Sequence, residues 1–457
     1  MNKLAKRAWF ALALAAVLLL GLIVIVIRYF IDSPDWVTFQ NSPHVYTDGV
    51  MNSGRIVDRT GTLLLDATHG KTYSDSVSLK RAMLHLTGDR EGNISSFLLS
   101  TYGDELIGFD RFNGTYSAGD SEGLMELTLC AEAQRAAIFA LDGRKGTIGV
   151  YNYKTGEILC MVSSPNFDPD DVPDVANNPE AYEGVYVNRF LYSTYTPGST
   201  FKVVTAEAAL EEIADIEQRS FYCEGSAQVG AETVVCSGVH GTQSFEEALA
   251  NSCNVAFAQI AAELGPETLT KYVKKAGILS RLSFDGTKTA AGSFDLTGAT
   301  TYEAAWAGVG QYTDQINPCQ YMTYMGAIAN GGQAAMPYLV ERVSFGEKEK
   351  YHVSRSMCGR VLEQGTADRL ADMMHYAVEN VYGEWYFSGC HAGGKSGTAE
   401  VGNGEAANGL FAGFLQSENY PLAFIAVVEK GGGGAASCLP VLSRVLDACI
   451  ATLQIQE

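Results

Sequence analysis

The sequence has no long run of like charge, no internal repeat and no low-complexity segment apart from four glycines at residues 431–434. Basic residues are scarce: 32 lysines and arginines stand against 52 acidic residues, which gives a formal net charge of −20. A chain this acidic is a poor match for nucleic acid, so we expect no nucleic-acid partner. Its 457 residues, 47% of them hydrophobic, are enough to bury a large core in two or three domains.

Charge is also absent from residues 8–27, which follow Lys3, Lys6 and Arg7. This run is long enough to cross the ~30 Å hydrocarbon layer as a helix. A cleaved signal peptide is the alternative, but its apolar region would be shorter and would end in small residues, whereas RYFID follows here. We therefore predict a cytoplasmic tail at 1–7, a transmembrane anchor at 8–28 and an extracytoplasmic remainder, in accordance with the positive-inside rule.

Ten cysteines lie in the extracytoplasmic part, where disulfides can form. Cys223 and Cys236 flank a stretch with the pattern of a hairpin, FYCEGSAQVGAETVVCSG, and are a candidate disulfide. Zinc is the less favoured alternative because no CxxC or HxxxH spacing lies nearby. We predict no metal site, and we interpret the other cysteines and His240, His375 and His391 as structural.

The hydrophobic pattern changes along the chain. Residues 29–145 are polar, with short apolar runs, and predict a small accessory domain. From residue 146 a hairpin pattern is followed by helical patterns and then, near residues 409–430, by apolar strands. This order predicts an α+β domain at 146–457, in which a central sheet is assembled from both ends and flanked by helices.

A turn dipeptide precedes a hydroxyl and an amine in YTPGSTFK, residues 195–202. Pro197-Gly198 ends an irregular segment, and Ser199 stands where a helix begins. Because Lys202 is three residues further on, both side chains share one helix face. A lysine whose pKa is lowered by burial and by a nearby cation can activate a serine nucleophile. Chance alone would give roughly one S-x-x-K in such a chain, so further motifs are needed.

Two further motifs follow in the order required of serine acyl-enzymes, which is S-x-x-K, S-x-N and K-[ST]-G. Ser252-Cys253-Asn254 is the S-x-N that lies between the other two motifs, at a break between helical patterns. Lys395-Ser396-Gly397-Thr398 lies far downstream, ahead of the closing strands, and Gly397 permits close approach of a substrate backbone. Lys154-Thr155-Gly156 precedes the serine and is interpreted as a hairpin turn.

These motifs and the sequence around them resemble the penicillin-binding transpeptidases, in particular the monofunctional class B proteins. The resemblance covers roughly residues 146–430, through TGEILCMVSSPNFDPD, NRFLYSTYTPGSTFK, HGTQSFEEALANSCNVAFAQIA and GGKSGTAEVG. GRIVDRTGTLLL, at residues 54–65, is similar to the segment with which class B proteins begin outside the membrane. Thr196 replaces a common acid, Ser396 replaces a commoner threonine, and the accessory region is short.

The resemblance implies the fold of penicillin-binding proteins and β-lactamases and a D,D-transpeptidase of the bacterial cell wall, inhibited by β-lactams, with no cofactor. Ser199 would attack the D-Ala-D-Ala bond of a peptidoglycan stem peptide, and Lys202 would take its proton. The backbone amides of Ser199 and Thr398 would form the oxyanion hole.

The resemblance also implies roles for the remaining motif residues. Lys395, Ser396 and Thr398 would hold the terminal carboxylate of the substrate. Ser252 would relay a proton to the departing D-alanine, and Asn254 would bind a substrate amide.

Other activities share parts of this pattern. One class of serine β-lactamase needs a glutamate in E-x-x-x-N, whereas Glu303 is followed by AAWAG. Class D β-lactamases and antibiotic sensors share STFK but carry a branched apolar residue where Asn254 stands. A D,D-carboxypeptidase, which transfers the acyl group to water, and a non-catalytic scaffold stay open as alternatives.

The accessory region sets one further expectation. A glycan polymerase domain of the bifunctional proteins does not fit into the roughly 110 residues between the anchor and the hairpin. By resemblance to class B proteins, we expect a multi-spanning membrane polymerase as partner, contacted through residues 8–27 and 29–141.

Overall fold

The computed structural model describes residues 2–37, 46–47, 50–110, 112, 122–402 and 404–456. Within these ranges the α-helices, in chain order, are α1 Asn2–Val37, α2 Val77–Thr87, α3 Phe97–Leu106, α4 Ala131–Leu141, α5 Arg189–Tyr192, α6 Lys202–Glu212, α7 Phe245–Ala250, α8 Asn254–Lys275, α9 Thr301–Val309, α10 Pro318–Ala329, α11 Gln364–Ala377 and α12 Gly434–Gln456.

The strands of the same ranges are β1 Tyr46–Thr47, β2 Val50–Met51, β3 Arg55–Val57, β4 Leu63–Asp66, β5 Thr72–Tyr73, β6 Gly123–Leu127, β7 Gly146–Asn152, β8 Ile158–Ser164, β9 Ser220–Cys223, β10 Ser226–Val229, β11 Glu232–Val235, β12 Gly241–Ser244, β13 Ser283–Phe284, β14 Thr287–Lys288, β15 Val340–Phe345, β16 Lys348–His352, β17 Ala392–Ala399, β18 Asn408–Leu415 and β19 Leu422–Val428.

The central sheet has five antiparallel strands in the order β17-β18-β19-β7-β8. Strands β7 and β8 come from the start of the predicted domain, and the other three come from its end. The predicted sheet assembled from both ends of an α+β domain is therefore confirmed, and Lys154-Thr155-Gly156 lies in the β7–β8 turn as expected.

Strand β19 shows why helices cover this sheet on both faces. Ala423, Ile425 and Val427 pack into one hydrophobic cluster with α6, α8 and α10. Leu422, Phe424 and the other alternate residues pack into a second cluster with α4 and α12. Because alternate side chains of a strand point to opposite faces, a strand that is apolar throughout is buried on both.

Two helices are apolar and long enough to span a membrane, as judged over the described residues. Residues 3–33 of α1 are almost entirely exposed, which fits the predicted single-pass anchor. Helix α12 is different, because its apolar side packs against β18, β19 and α4. We therefore assign α12 to the core.

A second sheet, with strand order β16-β15-β6-β3-β4-β5, combines strands from both sides of residue 146. Strand β15 pairs with β6, and α4 packs on α12. The sequence pattern does not reveal these long-range pairings. The predicted division at residue 146 stays a prediction, although the parts before and after it share a sheet.

Candidate active site

The serine of the first motif lies in a short 3₁₀ turn, Gly198–Phe201, which continues directly into α6. Gly198 has φ +54°, a value that L side chains rarely adopt. The Thr200 hydroxyl donates to the carbonyl of Pro197 at 2.8 Å, and the Tyr321 hydroxyl donates to the carbonyl of Thr200 at 2.8 Å. These bonds fix the turn and leave Ser199 half-buried.

The turn lies directly against the edge strand β17, and glycines make this approach feasible. A Cβ atom added to Gly397 would lie 2.4 Å from the carbonyl oxygen of Pro197, and one added to Gly198 would lie 2.6 Å from that of Thr398. Neither position has room for a side chain. The first and third motifs are therefore adjacent through their backbones.

Lys202 is fully buried beneath the turn. Its Nζ lies 2.9 Å from Ser199 Oγ and donates to the carbonyl oxygen of Ser252 and to Asn254 Oδ1, both at 2.7 Å. These two oxygens can only accept hydrogen bonds. A neutral amine has two N–H bonds, so when both are engaged its lone pair is left for the Ser199 hydroxyl. The first two motifs therefore meet at one nitrogen atom.

The second motif occupies the break between α7 and α8, as the sequence predicts. Ser252 has φ +57°, and its Oγ lies 3.2 Å from Lys202 Nζ and 3.0 Å from Lys395 Nζ. The Asn254 amide group donates through Nδ2 to the carbonyl of Val235 at 3.0 Å. Thus Ser252 bridges two amines, and Asn254 joins Lys202 to the end of β11.

Lys395 is fully buried in β17, and its environment includes a residue that the sequence analysis missed. Its Nζ donates to the carbonyl of Ser396 at 2.9 Å and to the hydroxyl of Tyr382 at 3.2 Å. The same Tyr382 oxygen lies 3.1 Å from Ser396 Oγ. Tyr382 ends a π-helical turn, Val378–Tyr382, and no short spacing relates it to a motif.

Burial dominates the electrostatics of both amines. It lowers the pKa of Lys395 to about 7. Burial and, secondarily, the Lys395 cation hold the pKa of Lys202 well below that of an ordinary lysine, while the sulfurs of Cys236 and Cys253 act in the opposite direction. Desolvation favours the uncharged form of an amine. Lys202 therefore has the protonation behaviour that a general base requires.

Thr398 is exposed near the end of β17. Its carbonyl accepts a hydrogen bond from Gln311 Nε2 at 2.7 Å, and its hydroxyl accepts one from the Gly434 amide at 3.2 Å. A Cβ atom on Gly198 would lie 2.6 Å from the carbonyl oxygen of Thr398 and 3.0 Å from its nitrogen, so this backbone faces the turn. The N–H and C=O of one residue in an antiparallel strand point to the same side. The Thr398 N–H therefore faces the open edge of β17, beside the Gly198–Phe201 turn. Gln311 is a second residue that sequence reasoning missed.

The second K-[ST]-G match and another S-x-N match lie in other parts of the fold. Lys154 is exposed, and the backbone amides of Lys154 and Thr155 donate to Asn152 Oδ1 within the β7–β8 turn. Asn166 of another S-x-N binds the carbonyl of Ser163 and Arg81. In both segments these hydrogen bonds go to residues outside the three motifs of the Ser199 cleft.

The cysteine expectation needs correction. Cys223 and Cys236 are free thiols, so the structure does not form the predicted disulfide. The hairpin consists of β10 and β11 only, while β9, which ends at Cys223, pairs with β12. This pairing turns both cysteines toward two additional residues, His240 and Cys253. No CxxC or HxxxH spacing connects these four residues, because they come from separate elements of the fold.

Comparison with known proteins places this geometry in a family. The model of the penicillin binding protein transpeptidase domain matches residues 146–447. Stage V sporulation protein D of Bacillus subtilis is 30% identical over 347 residues, which is 70% of this chain. The chain spans only about half, 52%, of the length of that relative.

This chain covers a larger share of the length of two further relatives. Peptidoglycan D,D-transpeptidase PbpA of Mycolicibacterium smegmatis is 28% identical over 376 residues, 75% of this chain and 74% of that protein. The penicillin G acyl-enzyme complex of penicillin-binding protein A from M. tuberculosis has a TM-score of 0.73 at 25% identity, covering 87% of this chain and 99% of that one. With its three motifs converging on one cleft, the chain belongs to the penicillin-binding protein transpeptidases.

Proposed function

We propose that the protein is a peptidoglycan D,D-transpeptidase that acts through a Ser199 acyl-enzyme and is inhibited by β-lactams. The observation that carries this proposal is the position of the Lys202 amine, buried and 2.9 Å from Ser199 Oγ. Its two shortest contacts are to oxygens that only accept, so the neutral amine directs its lone pair at the hydroxyl.

In the first half-reaction, Ser199 Oγ bonds to the carbonyl carbon of the penultimate D-alanine while Lys202 takes the hydroxyl proton. Charge develops on the carbonyl oxygen, opposite the amides of Ser199 and Thr398. The C–N bond then breaks, and the proton passes from Lys202 through the Ser252 hydroxyl to the departing D-alanine amine. The position of Ser252 Oγ, within 3.2 Å of both lysine amines, supports this relay.

The third motif would bind the terminal carboxylate of the substrate. Lys395 supplies positive charge, and the hydroxyls of Ser396 and Thr398 donate hydrogen bonds. Gly397 keeps the strand edge free of side chains. Asn254 has one N–H left after its bond to Val235, and that N–H is free to bind a substrate amide.

In the second half-reaction, an amine of a neighbouring stem peptide attacks the acyl carbon and gives up a proton to Lys202. The bond between Ser199 Oγ and the acyl carbon then breaks, and Ser199 takes that proton from Lys202. A D,D-carboxypeptidase would use water in the same position. The name of the M. smegmatis relative, a D,D-transpeptidase covered over 74% of its length, favours the amine.

The exposed apolar helix α1 supports a single-pass anchor in the bacterial cytoplasmic membrane, with the N-terminus inside and the catalytic domain outside. Cross-linking needs newly polymerised strands near a tethered site. We therefore propose a multi-spanning membrane glycan polymerase as partner, with contacts through residues 8–27 and 29–141, part of which lies outside the described residues.

Replacing Lys395 with alanine should slow acylation by fluorescent penicillin on the order of 10²-fold, because charge that binds the reacting group is removed. Lys154→Ala is the matched control and should acylate at nearly the wild-type rate. Time-resolved gel fluorescence measures both rates. Equal effects of the two substitutions would contradict the assignment of the third motif.

The acylation rate should fall as the pH is lowered through the depressed pKa of Lys202, because protonation removes the base. Lys395→Gln removes a cation that depresses this pKa, so the midpoint of its acylation profile should move to higher pH. Acylation rate constants across a pH series measure the shift. An unchanged midpoint in Lys395→Gln would refute electrostatic coupling of the two amines.

Incubation of the full-length protein with a membrane polymerase and lipid-linked disaccharide pentapeptide should yield cross-linked muropeptides, detectable by mass spectrometry. The Ser199→Ala variant should yield none, since it lacks the nucleophile. Shortened but uncross-linked stem peptides from the wild type would instead assign it as a carboxypeptidase.

The full-length protein should co-purify with its polymerase from detergent. A variant that carries an unrelated single span in place of residues 8–27 and lacks residues 29–121, so that α4 is kept, should lose this association. Penicillin labelling of the variant verifies that its catalytic domain is folded. Equal retention by both forms, or binding by neither, would exclude the proposed contacts.

A further inference from the structure

Four metal-binding side chains meet beside the second motif: Cys223, Cys236, His240 and Cys253, called here the cysteine cluster. Their ligand atoms all lie within 4.8 Å of one another. They come from four separate places: the end of β9, the residue after β11, the loop before β12 and the residue before α8. Folding, not sequence spacing, brings them together.

Two distances within the cysteine cluster match those of a tetrahedral zinc site. Zinc–sulfur bonds of about 2.3 Å and zinc–nitrogen bonds of about 2.05 Å place neighbouring sulfurs ~3.8 Å apart and a sulfur and a nitrogen ~3.6 Å apart. In the cluster, Cys236 Sγ lies 3.9 Å from Cys253 Sγ and 3.5 Å from His240 Nδ1. Two cysteines joined as a disulfide would need their sulfurs about 2.05 Å apart.

Two of the three sulfurs accept a hydrogen bond from a backbone amide, which stabilises a thiolate. The third, Cys223 Sγ, lies 3.6 Å from the carbonyl oxygen of Gly238. The Asn254 amide donates to Cys236 Sγ at 3.2 Å, and the Ala256 amide donates to Cys253 Sγ at 3.4 Å. Hydrogen bonds of this kind orient metal ligands and favour their charged form. Cys223 and Cys253 are buried, while Cys236 and His240 are half-buried and therefore partly exposed to solvent.

We infer that the cysteine cluster binds one Zn²⁺ ion as a closed Cys₃His structural site, and that this ion holds the second motif in place. Three sulfurs and an imidazole form a ligand set typical of structural zinc. Cys253 lies between Ser252 and Asn254, and Cys236 follows Val235, whose carbonyl binds Asn254. A zinc ion would therefore tie the β9–β12 segment to the loop that supports Lys202.

Metal content tests the site without reference to any activity. Full-length protein purified in detergent should contain about one zinc ion per chain by elemental mass spectrometry. Cys236→Ser should lose most of it, whereas Cys390→Ser, a half-buried cysteine elsewhere, should retain it. Replacement of zinc by Co²⁺ should give the visible bands of tetrahedral thiolate cobalt, absent in Cys236→Ser. Co²⁺ titration of metal-free wild-type protein gives the same readout without any substitution.

The positioning role needs a separate measurement and rests on the proposed acylation of Ser199. Removal of zinc from the wild type by a chelator should slow penicillin acylation on the order of 10-fold, and added Zn²⁺ should restore it. An unchanged rate in zinc-free protein would refute the positioning role while leaving the site intact. Wild-type protein that holds no zinc and gives no cobalt bands, or one whose intact mass and peptides reveal a Cys236–Cys253 disulfide, would overturn the site itself.

Discussion

The site depends on the burial of two lysine amines in one cleft. Desolvation makes the charged form of each amine costly, and the proximity of the two adds repulsion. The fold retains Lys202 and Lys395 because other groups engage their N–H bonds: a carbonyl and an amide oxygen for Lys202, and a carbonyl and the Tyr382 hydroxyl for Lys395. With Ser252 between the amines, a proton has a hydrogen-bonded route from one side of the cleft to the other.

The central sheet determines where this cleft opens. Among the strands that the structure describes, β17 is an edge strand, so one side of its backbone has no strand partner there. In other proteins an exposed edge strand can pair with a strand of another chain. Here the Gly198–Phe201 turn covers part of the edge. The absence of side chains at Gly198 and Gly397 lets two backbones approach, and it leaves the Thr398 amide accessible beside Ser199. A substrate peptide can therefore bind along β17 as an added strand.

The sequence predicted those parts of the site that depend on local order. Ser199 and Lys202 share a helix turn, Ser252 lies at a break between helices, and Lys395 precedes a glycine in a strand, so each motif could be placed from its own neighbours. Tyr382 and Gln311 could not be found this way. Each reaches the site by tertiary packing, since no fixed spacing relates a π-helical turn, or the segment that follows α9, to β17. The same limit explains the missed pairing of β15 with β6.

The β9–β12 segment shows most clearly how local patterns mislead. Its four strands have four residues each and form two separate two-stranded pairs, outside both large sheets. Short two-stranded pairs are marginally stable in water, and small elements of this kind usually need a covalent or metal link. A disulfide between Cys223 and Cys236 would close the segment on itself. The cysteine cluster instead extends to Cys253, at the start of α8, and so connects the segment to the helix that carries Asn254. The same four side chains would therefore both stabilise this small segment and hold the second motif in position.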